Sequence, residues 1–85
     1  MKFNYYLMAE FNTAMIPLSD VAQKYLNMSD KLAKQKAAVQ ALPFPVAKGS
    51  SSQKSGWFVF IDDLAVYLQE QHEKGRKQWE EMRNH

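Results

Sequence analysis

Apolar residues recur every three or four positions between Pro17 and Leu26, and this spacing predicts a helix that buries one face. The stripe consists of Leu18, Val21, Ala22, Tyr25 and Leu26. Pro17 suits the first position of a helix, and Asp20 in the first turn complements the helix dipole. We therefore predict a first helix that begins at about residue 18 and ends before the break at 27–29.

A second helix is predicted from Asp30 to about Ala41, with Ser29 as its N-terminal cap. At about 100° per residue, this helix has two unlike faces. The predicted inner face consists of Leu32, Gln35, Ala38, Val39 and Leu42, and the predicted outer face consists of Ala33, Lys34, Lys36, Ala37, Gln40 and Ala41. Two short helices separated by about three residues match a helix-turn-helix.

A β-hairpin is predicted to follow the second helix. Pro43 and Pro45 end the helix and begin an extended segment, Phe44–Ala47. Trp57–Phe60 returns as an apolar strand, and the residues between the strands, 49–56, are glycine, serine, glutamine and lysine. A polar, lysine-bearing hairpin directly after a lysine-bearing helix is typical of a winged helix-turn-helix.

The periodicity at the start of the chain is ambiguous. Positions 3, 7 and 11 suit one helical face, whereas residues 14–16 suit a short strand that stops at Pro17. For residues 3–11 the pattern leaves helix and strand open, and we expect this segment to cover the core.

A long last helix is predicted from about Asp63 to Glu81, capped by Asp62 and Asp63 and interrupted at Gly75. Its far part is charged, and its large apolar residues there are Trp79 and Met82. We expect these two residues to pack either on a second subunit or on the N-terminal aromatic residues, so that self-association is one of two alternatives.

These elements predict a mainly α fold with a small β-hairpin, an α+β class, arranged as a winged helix-turn-helix with a long C-terminal helix. We expect a single domain over residues 1–85, since a chain of this length builds one small core. Its parts are an N-terminal cover (1–16), the helix-turn-helix (18–42), the wing (44–61) and the C-terminal helix (62–83).

Positive charge is concentrated in one segment. Lys31–Lys54 carries five lysines and no acidic residue, whereas the rest of the chain carries six basic and nine acidic residues. The net charge of +2 indicates little by itself, but the concentration of positive charge in one segment indicates binding to nucleic acid.

The residue types in this segment suit contacts with DNA. Lysines suit phosphates and guanine edges, alanine methyls suit thymine methyls, and glutamine suits adenine. The predicted DNA-binding residues are Lys31, Ala33, Lys34, Lys36, Ala37, Gln40, Lys48, Ser52, Gln53 and Lys54. A solvated helix face and a plain turn are the alternatives.

Motifs for catalysis and metal binding are missing from the sequence. The chain has no cysteine, its two histidines are far apart, and the Gly/Ser loop lacks the spacing of a phosphate-binding loop. No serine sits in a nucleophile elbow. We expect no enzyme activity, no metal and no cofactor. No apolar run reaches the roughly 20 residues of a membrane span, and the N-terminus makes a poor signal peptide, so we expect a cytoplasmic protein.

Several segments occur in an order and spacing that are similar to those of a known family. They are Leu7–Glu10, Ala14–Val21, Leu42–Val46, Ser52–Lys54 and Trp57–Leu68. Over nearly its whole length the chain resembles the pyocin activator family. More distantly, the Leu-Met, Ile-Pro and aromatic-strand features resemble phage Cox-type regulators and small excisionases.

The resemblance implies a small bacterial or prophage transcription regulator, an activator of bacteriocin or phage genes that binds double-stranded DNA through the second helix and the wing. The contacts would then include Lys34, Lys36, Ala37, Gln40, Gln53 and Lys54. Expected partners are DNA at the nucleoid, RNA polymerase and a second copy of the chain. One alternative is an excisionase or Cox-like directionality factor, and a more remote one is a protein-interaction module without DNA binding.

Overall fold

The computed structural model describes residues 2–48 and 56–83. Within these residues, helices dominate and a small antiparallel sheet accompanies them, which confirms the α+β class. The elements in chain order are α1 (Lys2–Phe11), β1 (Met15–Pro17), α2 (Leu18–Val21) with a π-helical continuation (Ala22–Leu26), α3 (Asp30–Ala38), β2 (Ala47–Lys48), β3 (Trp57–Phe60) and α4 (Ile61–Arg83).

Strand β3 is the central strand of the sheet that the described residues form, with β1 and β2 on either side of it. Both pairings are antiparallel: Ile16 lies opposite Val59, and Ala47 lies opposite Phe58. Ile16 and Val59 are fully buried, which places them on the face of the sheet that meets the core. The short strand predicted before Pro17 is therefore confirmed, and its partner is the strand that leads into α4.

Each of four elements contributes one large, fully buried side chain to the core. They are Ile16 of β1, Val21 of α2, Val59 of β3 and Leu64 of α4. Because burial of a side chain of this size stabilises a protein by roughly 1.5–3 kcal/mol, these contacts hold the sheet and the helices together.

Helix α1 settles the question that the periodicity left open, because residues 2–11 are helical and pack against α4. Leu7 is buried in this contact. The Asn4 side-chain amide donates a hydrogen bond to the carboxylate of Asp62, and the ring of Phe3 meets His72 edge-on, with centroids 6.3 Å apart.

The end of α1 is also tied to the helix that follows β1. The carboxylate of Glu10 pairs with Lys24 and accepts a hydrogen bond of 3.2 Å from the hydroxyl of Tyr25. Burial raises the pKa of Tyr25 above its ordinary value. The N-terminal helix thus bridges α4 and the first helix of the helix pair.

The end of α3 differs from the sequence prediction. The helix stops at Ala38, three residues before the predicted end, and Gln40 has a left-handed backbone conformation with a φ of 52°. A right-handed helix cannot continue through such a residue.

The orientation of α3 was predicted wrongly. Ala33 and Ala37, which were assigned to the outer face, are fully buried. Leu32, Gln35, Ala38 and Val39, which were assigned to the inner face, are exposed.

The physical reason lies in the contact between α3 and the preceding helix. α3 packs against α2 and its π-helical continuation. Ala33 and Ala37 lie one turn apart on α3, and their small side chains allow the two helices to approach each other closely. Sequence reasoning places the largest apolar side chains inside, but a leucine in place of these methyls would hold the two helices apart.

The hairpin and α4 also have different bounds from those predicted. The strand β2 covers only Ala47–Lys48, while Phe44, which precedes it, is buried edge-on against Tyr67 with ring centroids 5.5 Å apart. Helix α4 begins at Ile61, so that Asp62 and Asp63 lie in its first turn rather than before it.

Gly75 does not interrupt α4, contrary to the prediction. A glycine inside a helix costs only about 0.5–1 kcal/mol relative to alanine. On either side of it, one-turn contacts support the helix: Gln69 donates to Glu73 at 3.0 Å, and Arg76 pairs with Glu80 at 3.3 Å.

The orientation of α3 can be tested with two neighbouring alanines. Ala37→Leu should lower the free energy of unfolding by about 1–3 kcal/mol, because the larger side chain has no room against α2. Ala38→Leu, the matched control on the exposed side, should change it by less than about 0.5 kcal/mol. Urea denaturation measures both, and equal effects would contradict the observed orientation.

Candidate nucleic-acid interface

A three-residue turn positions α3 against the helix before it. Asn27 ends the π-helical segment in a left-handed conformation with a φ of 49°, which asparagine tolerates better than most residues. The backbone N–H of Met28 donates to the carbonyl of Ala22 at 3.0 Å. These contacts close the first helix and turn the chain into the start of α3.

Ser29 caps α3, as the sequence predicts. Its hydroxyl oxygen accepts a hydrogen bond of 3.2 Å from the backbone N–H of Leu32, and Asp30 lies in the first turn, where a negative charge is favourable. The cap orders the first turn of α3, which carries Lys31.

The exposed face of α3 combines charge, one amide and apolar side chains. Its members are Lys31, Leu32, Lys34, Gln35, Ala38 and, just after the helix, Val39. Leu32 is 42% exposed and Val39 is 73% exposed, so this face carries two aliphatic side chains among its polar ones. Sequence reasoning placed four members of this face inside: Leu32, Gln35, Ala38 and Val39. The available signal was the pair of alanines at positions 33 and 37, which mark a close helix contact on the opposite side.

The lysines of α3 differ in their surroundings. Lys31 is exposed, and Lys34 is exposed with its ammonium group 3.0 Å from the carboxylate of Asp30. Lys36 is half-buried. An exposed ion pair such as that of Lys34 stabilises by at most about 1 kcal/mol, so a phosphate can replace Asp30 as the partner at little cost.

Two of the predicted DNA-binding residues, Ala33 and Ala37, lie inside the core. Their methyl groups face the preceding helix and are out of reach of a base edge in this conformation. They are therefore removed from the candidate interface.

Gln40 has a role in the fold. Its side-chain amide donates a hydrogen bond of 3.3 Å to the backbone carbonyl of Val46, just before β2. This bond connects the end of α3 with the start of the hairpin and thereby fixes the position of one relative to the other.

The described part of the hairpin adds a further exposed lysine. The ammonium group of Lys48 lies 5.4 Å from the centroid of the Trp57 ring, on the neighbouring strand, within the range of a cation–π interaction. The predicted contacts Ser52, Gln53 and Lys54 lie outside the described residues.

A groove joins the start of α3 to the base of the hairpin. Its volume is about 210 Å³, and it lies between Ser19 of α2, Asp30 and Lys34 of α3, and Gly56 and Trp57 at the start of β3. Lys34 lies on one side of this groove, and Trp57, whose ring lies beside Lys48, lies on the other. We use the name basic face for the exposed residues Lys31, Lys34 and Gln35 of α3 together with Lys48 of the hairpin.

A small α+β domain that displays a short lysine-bearing helix beside a hairpin is typical of compact regulators that act on nucleic acid. The family model described as "Pyocin activator protein PrtN" matches residues 5–75, a range that includes the helix pair, the hairpin and about two thirds of α4. The chain belongs to this family. No curated protein and no solved structure gives a significant match.

None of the helices in the described ranges combines the length and apolar character needed to cross a membrane.

The cap of α3 gives a direct test of how its first turn is held. Ser29→Ala should lower the free energy of unfolding by about 1 kcal/mol, because the N–H of Leu32 loses its partner. Ser29→Asp should retain most of the stability, since aspartate caps equally well. Thermal or urea denaturation measures both variants, and the prediction is wrong if Ser29→Asp loses as much stability as Ser29→Ala.

Proposed function

We propose that this protein is a sequence-specific DNA-binding activator of bacteriocin or prophage genes. The helix pair acts as a helix-turn-helix with α3 as the recognition helix, and the hairpin of β2 and β3 acts as the wing. The observation that carries the proposal is the basic face, in which the exposed side of α3 and the hairpin converge. Membership of the pyocin activator family supports the regulatory role.

The dimensions of α3 suit the major groove. An α-helix with its side chains is about 10–12 Å across, and the major groove is about 12 Å wide. The nine residues of α3 extend over about 13 Å at 1.5 Å per residue. Among residues 2–48 and 56–83, α3 is packed on one side, and its other side is exposed. In this proposal the exposed side enters the groove. The hairpin beside it then reaches the neighbouring backbone, as wings do.

The exposed lysines supply the attraction to phosphates. Lys31, Lys34 and Lys48 are the principal phosphate contacts in this proposal, with half-buried Lys36 at the margin. Ser52, Gln53 and Lys54 are included from their place in the sequence between the two strands of the hairpin. RNA polymerase is the further partner that activation implies, and the site of action is the nucleoid of the bacterial cytoplasm.

The first experiment is a mobility-shift titration with fragments of the neighbouring genomic DNA, in the presence of random competitor and at two salt concentrations. A discrete complex that resists competitor supports specific recognition. Binding that any competitor removes equally would reduce the basic face to a non-specific patch. Footprints at repeated sites inside an attachment region, rather than near promoters, would instead indicate a directionality factor.

Single lysine variants should separate phosphate contacts from solvated charges. Lys31→Ala and Lys48→Ala should each weaken binding and reduce the slope of log K against log salt by about 0.9, the value for one lost phosphate contact. Lys77→Ala, an exposed lysine on the distal part of α4, should change neither quantity. Unchanged slopes in both test variants would remove α3 and the hairpin from the interface.

We further propose that the distal part of α4 joins two copies of the chain. Residues 70–83 are all exposed, and Trp79 and Met82 are 58% and 75% exposed. Together with His72 and Gly75 they continue, at spacings of three and four, the buried face of the same helix. Within the described ranges, a side chain at Gly75 would meet no atom within 4 Å, which leaves room there for a large residue of a second helix. A second copy is the expected occupant because one module covers few base pairs.

Trp79→Ala should shift the protein from dimer to monomer and weaken binding to a two-site fragment more than binding to a single site. Its control is Lys77→Ala, on the opposite side of the same helix. Sedimentation equilibrium measures the association state. If the wild-type chain is monomeric at micromolar concentration and on DNA, this role of α4 is wrong.

A further inference from the structure

Gln35 lies at the centre of the exposed face of α3. Lys31 and Leu32 precede it by four and three residues, and Ala38 and Val39 follow it by three and four, so all four are its neighbours on the helix surface. All five side chains are exposed. In the described part of the chain, no hydrogen-bond partner is found for the Gln35 amide. The Gln35 amide offers both a hydrogen-bond donor and an acceptor. Three of its four neighbours are apolar, namely Leu32, Ala38 and Val39.

This combination has a specific chemical counterpart in DNA. A glutamine amide forms two hydrogen bonds with the N6 and N7 edge of adenine, and aliphatic side chains contact the 5-methyl group of thymine. Adenine edges and thymine methyls lie in the major groove of the same A·T pairs. By contrast, lysines alone favour phosphates and guanine and would give the helix no preference for A·T.

The other glutamine of this region, Gln40, is less well placed for this role. The amide of Gln40 already donates to the Val46 carbonyl, and its left-handed backbone lies beyond the end of α3. Lys34 is paired with Asp30 at the edge of the same face. Gln35 is therefore the residue of α3 that is best placed to read a base.

We propose that Gln35 determines the sequence specificity of this protein by pairing with adenine, and that Leu32, Ala38 and Val39 contact the thymine methyls of the same or adjacent base pairs. The target then contains consecutive A·T pairs beneath the middle of α3. This inference rests on the proposed function, since it assigns the specificity of the same DNA-binding face.

The role of Gln35 is tested by selection of bound sequences from random DNA, followed by titration of the selected site and of the same site with each A·T pair changed to G·C. Wild-type protein should prefer the selected site by about 5- to 150-fold at one position, the range for one bidentate contact. Gln35→Ala should lose most of that preference while its affinity for random DNA and its salt slope stay unchanged, because no charge is removed.

A matched control is Gln71→Ala, an exposed glutamine on α4. Circular dichroism and thermal denaturation show that each variant is folded. Alanine has a higher helix propensity than glutamine, so Gln35→Ala should not destabilise α3.

The methyl contacts are tested by replacing single thymines of the selected site with deoxyuridine, which removes the 5-methyl group and keeps the base pairing. Wild-type affinity should fall about 3- to 5-fold at the thymines beneath α3, as expected for one buried methyl group. In the double variant Leu32→Ala/Val39→Ala this penalty should shrink towards none. Val66→Ala, an exposed valine of α4, should retain the full penalty.

The outcomes distinguish failure of the role assigned to Gln35 from failure of the proposed DNA-binding function. If wild-type protein binds a specific site and Gln35→Ala keeps the full preference for A·T, the specificity assignment is overturned and the proposed function stands. If wild-type protein shows no preference for any sequence, both fall together. If Leu32→Ala/Val39→Ala changes the association state but not the deoxyuridine penalty, the apolar residues form a contact between copies, and their role at thymine is wrong.

Discussion

The contact that α3 makes with the preceding helix through two alanine methyls is the constraint on which the candidate interface depends. Ala33 and Ala37 are fully buried, and helices that meet through such small side chains interlock closely and have little freedom to rotate. The rotation of α3 about its axis decides which side chains reach solvent. It brings Gln35 to the middle of the exposed face and leaves Leu32 and Val39 uncovered. A change of about half a turn would reverse every one of these placements.

Strand β3 connects this helix pair to the rest of the molecule. It pairs with β1 on one edge and with β2 on the other, and it continues directly into α4. The buried side of the strand, through Val59, packs into the same core as the helices. The hydrogen bond from Gln40 to Val46 adds a local connection between the end of α3 and the hairpin. In the described part of the chain, the end of α3 and the base of the hairpin are therefore joined both through the core and through this hydrogen bond.

The N-terminal helix α1 and the distal part of α4 differ in how much they contribute to the small core. A chain of this length buries a limited share of its surface, and α1 contributes by packing on α4 and by adding Leu7 to the core. The distal part of α4 contributes nothing comparable, since residues 70–83 are exposed. A helix that continues so far beyond the core, with an exposed tryptophan at residue 79, is better explained by a partner than by the stability of one chain. This is the reason for attributing that segment to a second copy.

Local signals in the sequence determined where the helix pair begins and turns. Pro17 and Ser29 act within one turn of backbone, so the start of α2 and the cap of α3 could be predicted, as could the exposed lysines at positions 31 and 34. The helical state of residues 3–11 and the orientation of α3 depended on the tertiary structure. The apolar pattern assigns Leu32 to the inner face because leucine is strongly hydrophobic. Gln35 lies one turn from Leu32 and was therefore assigned to the inner face as well. Only the packing of α3 on the preceding helix shows that the buried side chains of α3 are the alanines at positions 33 and 37.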